Sequence, residues 1–206
     1  MKVLPLFYAL VSFVLLSACS SSEDASSLTA LTSQSVILSY GDSLTFGTGA
    51  GGKEYSYPAV LAKLTGLEVH NRGIPGEVSK EGLARLSSVL QETQPDLVIL
   101  CHGGNDLIQK LGETQLKDNL DQMIGLIKAS GAEVVLVAVP KFSIMLTPPE
   151  LYQQLAIEHQ IPVALQLLTK IERKPELKSD QIHPNAAGYK LFAEQIQQLL
   201  TQSSAL

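Results

Sequence analysis

The 206-residue chain is 45% hydrophobic and 17% charged with a formal net charge of -5, a balance that fits one globular domain and excludes a disordered or fibrous protein. Its 15 Lys and Arg are scattered, and the longest basic cluster, Arg173 and Lys174, reads as solvated surface, so no patch exists to neutralise phosphates and nucleic acid is excluded as a partner. The only two cysteines, Cys19 and Cys101, lie in unrelated contexts, which excludes a disulfide framework.

Residues 1–18 contain one basic residue, Lys2, followed by an apolar stretch over 3–16 that is short for a membrane span and reads as a secretory signal. It ends in Leu16-Ser17-Ala18-Cys19, which resembles the lipobox of bacterial lipoproteins. That resemblance implies cleavage before Cys19 and lipidation of this residue. Buried acyl methylenes contribute about 0.8 kcal/mol each, enough in a multiply acylated cysteine to hold a domain at a membrane surface. Ser20 in the next position, where an Asp would mark the inner membrane, implies an outer-membrane lipoprotein facing the periplasm of a bacterial envelope. Residues 19–34 are small and polar and read as a flexible tether. The domain itself then runs over 35–206.

From Ser35 onward short apolar runs alternate with segments of helical period, the sign of an α/β protein with a parallel sheet and crossover helices. The spacing predicts a strand over 36–40, then a helix over 57–65 with Pro58 in its first turn and Gly66 at its stop. A second strand follows over 67–71, and a helix over 80–91 places Leu83, Leu86 and Leu90 on one face. Pro95 separates it from a third strand over 97–101, in which Cys101 reads as a small buried hydrophobe. A helix over 115–129 carries the stripe Leu116, Leu120, Met123, Ile124, Ile127, and the β-branched run 134–139 reads as a central strand. Residues 149–159 read as helix, 162–167 as a fifth strand and 186–200 as the closing helix. Five such units make a three-layer α/β/α sandwich with a five-stranded parallel sheet, in which ligands sit beyond the carboxyl ends of the strands.

Four polar clusters fall just after predicted strands: Gly41-Asp42-Ser43-Leu44, Asn71 to Gly76, Gly103-Gly104-Asn105-Asp106, and Asp180-Gln181-Ile182-His183-Pro184-Asn185. Singly, each is explained by turn chemistry. The order Gly47-Thr48-Gly49-Ala50-Gly51-Gly52 also satisfies a dinucleotide fingerprint, but residues 41–46 separate it from the strand and no helix opens on it, so a loop admitting substrate fits better.

Taken in order, the four blocks resemble the SGNH, or GDSL, hydrolase family over residues 35 to about 200. The resemblance implies the flavodoxin-like fold of that family and a serine hydrolase with no cofactor. A serine hydroxyl needs a base within hydrogen-bond reach, and a carboxylate must hold the imidazole in the right tautomer. The family's Asp-x-x-His element matches Asp180 and His183, which assigns Ser43 as nucleophile, His183 as base and Asp180 as its partner. By the same resemblance the oxyanion donors are the backbone N–H of Ser43, the backbone N–H of Gly76 and the side-chain amide of Asn105. Gly73 competes with Gly76, but the block alignment places the donor at the glycine before the acidic residue, here Glu77. Asp42 and Asp106 read as loop tethers; His102 sits beside the Asn105 block, while His70 and His159 read as structural or exposed. No His, Cys and carboxylate set has metal-ligand spacing.

Within the family, Gly-Asp-Ser-Leu-Thr, Ser56-Tyr57-Pro58-Ala59 and Gly82-Leu83-Ala84-Arg85-Leu86 resemble the bacterial arylesterase, lysophospholipase L1 and acyl-CoA thioesterase I group. This implies a monomer acting on small acyl esters, from aryl and short- to medium-chain esters to lysophospholipids or thioesters. Residues 141–149 depart from the thioesterase pattern, which carries a longer, more polar loop there. The apolar segment Phe142-Ser143-Ile144-Met145-Leu146 reads as acyl-pocket lining or as core. Carbohydrate O-acetylesterases of the same superfamily use the same machinery on a smaller acyl group, and a binding lipoprotein without catalysis is the reading from another class.

Overall fold

The computed structural model describes residues 27–206, so the expected signal segment and Cys19 lie outside the described residues. Five parallel strands, β1 (Val36–Gly41), β2 (Glu68–Gly73), β3 (Leu97–Cys101), β4 (Glu133–Val137) and β5 (Val163–Ala164), form one sheet in the order β2-β1-β3-β4-β5. The helices are α1 (Ser43–Phe46), α2 (Tyr57–Thr65), α3 (Ser79–Thr93), α4 (Gly104–Gln109), α5 (Glu113–Ala129), α6 (Leu151–His159), α7 (Leu167–Glu172) and α8 (Ala186–Gln202). Helix α8 packs on α2 and α7, while α5 packs on α3 and α6, giving two helical layers around the sheet. No described helix is long and apolar enough to cross a membrane.

Strands β1, β3 and β4 are buried almost throughout, which is why their sequences are continuous apolar runs. The stripe Leu116, Leu120, Met123, Ile124, Ile127 is fully buried, as its spacing requires. Gly66 closes α2 in the left-handed conformation, and Tyr57 stacks on Phe192 of α8 with ring centroids 4.1 Å apart.

Three expectations need correction. The fifth strand is only Val163–Ala164, because Leu167 opens α7 rather than ending a strand. The expected tether does not extend to residue 34: Leu28 is buried, and Leu28 and Leu31 donate their N–H groups to the carbonyls of Ser203 and Ala205. Thr29 adds a backbone N–H to the carboxylate of Glu133 at 2.9 Å. Finally, Phe142, Ile144 and Met145 are exposed, so that segment is not core.

The sheet order places the site. The chain runs outward from β1 to β2 on one side and then returns past β1 to β3 on the other, so the crossovers on either side of β1 and β3 diverge and leave a crevice. Register brings Gly41 level with both Gly73 and Cys101, so the segments following β1, β2 and β3 emerge side by side.

Candidate active site

Immediately after β1, Asp42 caps the short helix α1, accepting a hydrogen bond from the Leu44 N–H at 3.0 Å. This turns the chain sharply and leaves Ser43 half-buried at the crevice. The segment after β2 is fixed by the Ile74 N–H, which donates to the Gly41 carbonyl at 3.0 Å, and by Gly76 at φ +82°, a left-handed conformation that favours glycine. After β3, Asn105 stands in the first turn of α4.

The fourth segment is built by its own carboxylate. Asp180 Oδ1 accepts the backbone N–H groups of Ile182 and His183 at 2.7 and 2.8 Å, and Oδ2 faces His183 Nδ1 at 2.8 Å. Burial raises the pKa of Asp180, but the two backbone donors and the imidazole outweigh it and hold the carboxyl at about 2. An ionised Asp180 can only accept, so Nδ1 carries the proton and Nε2 is left as an acceptor. That nitrogen lies 3.0 Å from Ser43 Oγ, so the hydroxyl donates to it. Ser43, His183 and Asp180 thus form one continuous hydrogen-bonded chain.

The expected oxyanion groups also converge on the crevice. Neither Ser43 nor Gly76 donates its backbone N–H to another group among the described residues. Gly73, by contrast, donates to Asn71 Oδ1 at 3.0 Å and does not line the cleft, whereas Gly76 does. Asn105 Nδ2 donates to the Glu77 carbonyl at 2.9 Å and makes a longer contact of 3.3 Å to Asp42 Oδ2. The hydrogen on the longer contact to Asp42 is the more weakly held and the one a developing oxyanion can draw away.

Behind the Gly76 turn lies a network that sequence reasoning missed. Arg85 holds both carboxylate oxygens of Glu77 at 2.6 Å and stands 4.2 Å above the Tyr40 ring. His102 is fully buried and does not line the cleft: its Nδ1 accepts the Gly103 N–H, so Nε2 donates to Glu77 at 3.1 Å. Burial raises the pKa of Glu77, but the hydrogen bonds from His102 and Arg85 outweigh it and lower the pKa. Asp106 tethers α3 by accepting from the Ser79 N–H at 2.8 Å, the role expected for it. His70 pairs with Glu68 and His159 with Asp121, away from the cleft.

The glycine segment over 47–52 opens no long helix and is pinned rather than free. A Cβ at Gly49 would collide with Ser179 and come within 2.8 Å of the Pro184 carbonyl, so glycine lets this segment touch the His183 loop. Tyr189 donates to the Thr48 carbonyl at 2.8 Å.

Around Ser43 and His183 the cleft measures about 260 Å³, with Val139, Pro140, Phe142 and Ile182 supplying apolar walls. Glu172 reaches it from the end of α7. A nucleophile, a base, an orienting carboxylate and convergent donors beside an apolar recess can perform acyl transfer.

A model of the GDSL-like Lipase/Acylhydrolase family matches residues 39–191. The chain belongs to that family. The arylesterase of Vibrio mimicus is 32% identical over 179 residues, covering 81% of this chain and 88% of that protein. Thioesterase 1/protease 1/lysophospholipase L1 of Escherichia coli strain K12 is 29% identical over 186 residues, covering 82% and 86% respectively. A crystal structure of TesA superimposes with a TM-score of 0.72 at 27% identity, covering 82% of this chain and 99% of that one. As a GDSL-like acylhydrolase the chain is a serine ester hydrolase, and the three-layer fold with its five-stranded parallel sheet is that of its relatives.

Proposed function

We propose that Ser43 cleaves small carboxylic esters through an acyl-enzyme. His183 Nε2 removes the hydroxyl proton as Oγ bonds to the carbonyl carbon, and Asp180 stabilises the imidazolium that results. The negative oxygen is received by the N–H groups of Ser43 and Gly76 and by the Asn105 amide. His183 then protonates the leaving alcohol as its bond to the acyl carbon breaks. Water, deprotonated by the same imidazole, hydrolyses the acyl-serine and restores the hydroxyl.

The observation that carries this reading is the unbroken hydrogen-bonded chain from Ser43 Oγ through His183 to Asp180, beside a cleft. All of it lies within one chain, so a monomer suffices. The names of the relatives support aryl and short- to medium-chain acyl esters as substrates. The apolar walls of the cleft favour an acyl chain longer than acetate over the O-acetylesterase reading. Labelling with a fluorophosphonate should tag Ser43 alone, and Ser43→Ala should abolish hydrolysis of p-nitrophenyl butyrate; unchanged turnover in that variant refutes the assignment. A steep preference for p-nitrophenyl acetate over butyrate and octanoate would sink the longer-chain reading.

The lipobox-like Leu16-Ser17-Ala18-Cys19 supports an anchor at Cys19 that holds the domain at the envelope, on the periplasmic face of the outer membrane. Cys19→Ser should move the protein from the membrane to the soluble fraction on cell fractionation.

A further inference from the structure

Glu172 has no part in the acyl-transfer chemistry, yet it lines the same cleft as Ser43 and His183. It is 9% exposed, and among the described residues no hydrogen bond or ion pair engages its carboxyl. A carboxyl largely withdrawn from water, left without a partner and open only to the cleft is costly, and a cationic group brought to it through that cleft is the ligand that most relieves that cost.

The surroundings favour the same choice. No Lys or Arg lines the cleft, whose other acidic group is Asp42 and whose one titratable nitrogen is on His183. Lys178, from the turn after α7, lies near enough to act on Glu172 through space but forms no ion pair with it. Cys101 at the end of β3 and Tyr189 on α8 are the other buried titratable groups on this side, and both are neutral at ordinary pH. Lys170 on α7 and Arg173 just after it are exposed and form no ion pair with Glu172, Arg173 donating to the Met145 carbonyl. Phe142, at the rim, offers an aromatic face that also suits a cation. Burial pushes the Glu172 pKa up to about 7, with Lys178 acting against it, so the carboxyl changes charge near neutrality.

We infer that Glu172 is a specificity-determining residue whose carboxylate receives a cationic group, a primary or quaternary ammonium, carried by the ester substrate. This rests on the proposed ester hydrolysis at Ser43 and adds the charge class of the substrate. The cation would enter as Glu172 ionises, so the preference for charged over neutral esters strengthens as pH rises through about 7.

The test compares two pairs of esters alike in shape and different in charge, one charged on each side of the scissile bond. The first pair is butyrylcholine and 3,3-dimethylbutyl butyrate. The second is the p-nitrophenyl esters of 4-(trimethylammonio)butyrate and 5,5-dimethylhexanoate. In the native protein the ratio of kcat/KM for charged over neutral ester should rise about tenfold between pH 5.5 and 8.5 for at least one pair, mostly through KM. Any pH dependence that comes from the rest of the site persists in Glu172→Gln, so the difference between the two proteins is the readout. Glu172→Gln and Glu172→Leu should both lose the pH-dependent rise in the ratio.

An unchanged ratio in both variants, for both pairs, overturns the inference. So does a Glu172→Leu protein that gains turnover of neutral esters while keeping the charge ratio, which would make Glu172 merely the floor of an acyl pocket. Calorimetric titration of the same esters into Ser43→Ala, with and without Glu172→Gln, gives the affinity ratio without turnover. Failure of ester hydrolysis is thereby separated from failure of cation recognition, since the affinity ratio decides the latter alone.

Discussion

At the scale of single residues, the Asn105 amide is held by a backbone carbonyl on the neighbouring loop, so its direction is set before substrate arrives. Asn105→Ala should lower kcat by roughly 10²- to 10³-fold, about 3 kcal/mol, with little change in KM in steady-state assays of p-nitrophenyl butyrate. Asp180 sets the pH behaviour of its loop. Its pKa is lowered, so its contribution is present above the ordinary carboxylate range and is lost only as pH falls toward about 2. Asp180→Asn, with the wrong tautomer imposed on His183, should cost up to about 10⁴-fold in kcat, and the loss should persist across the whole pH profile. Ser43, His183 and Asp180 were legible because their chemistry demands particular residue types in a recognisable order. Glu172 was not, since a glutamate at the end of a short helix beside Arg173 looks like any solvated residue until the fold turns it inward.

At the scale of elements, the turn carrying Gly76 is braced from behind by Glu77, Arg85 and His102. Arg85→Ala leaves a buried carboxylate with only the imidazole to face it and should destabilise the protein by about 3 kcal/mol at neutral pH. The sign of its pH dependence follows from the lowered pKa of Glu77: the stabilisation is present above the ordinary carboxylate range and vanishes as pH falls through the native-state value. Thermal melts of both proteins at neutral and acid pH check this, with the gap expected to narrow in acid. The long helices and central strands were readable because α5 carries several repeats of its helical period and β4 is an unbroken β-branched and apolar run. Helices α1, α4 and α7, of 4, 6 and 6 residues, span too little of a period to announce themselves. The two-residue β5 ends early because the chain commits to α7, a choice made by tertiary packing of Leu167 and Leu168 rather than by local preference.

At the scale of the whole molecule, residues 28–31 lie along the C-terminal end of the chain, pairing with Ser203 and Ala205. Leu28→Ala should cost about 2 kcal/mol in urea denaturation with the m-value unchanged, because a docked apolar side chain, not a free tether, is being removed. Composition hid this, since two leucines among serines and threonines show no period. The nucleophile and its base are 140 positions apart, and the His183 loop runs directly into α8, which must seat on α2 near the start of the domain. Such a contact forms only after nearly the entire chain is available. The enzyme is therefore silent while it is being made: a nascent or truncated product can hold most of its sheet and still present Ser43 as an inert alcohol. In a refolding experiment, hydrolysis should return later than secondary structure, timed by the docking of the last helix.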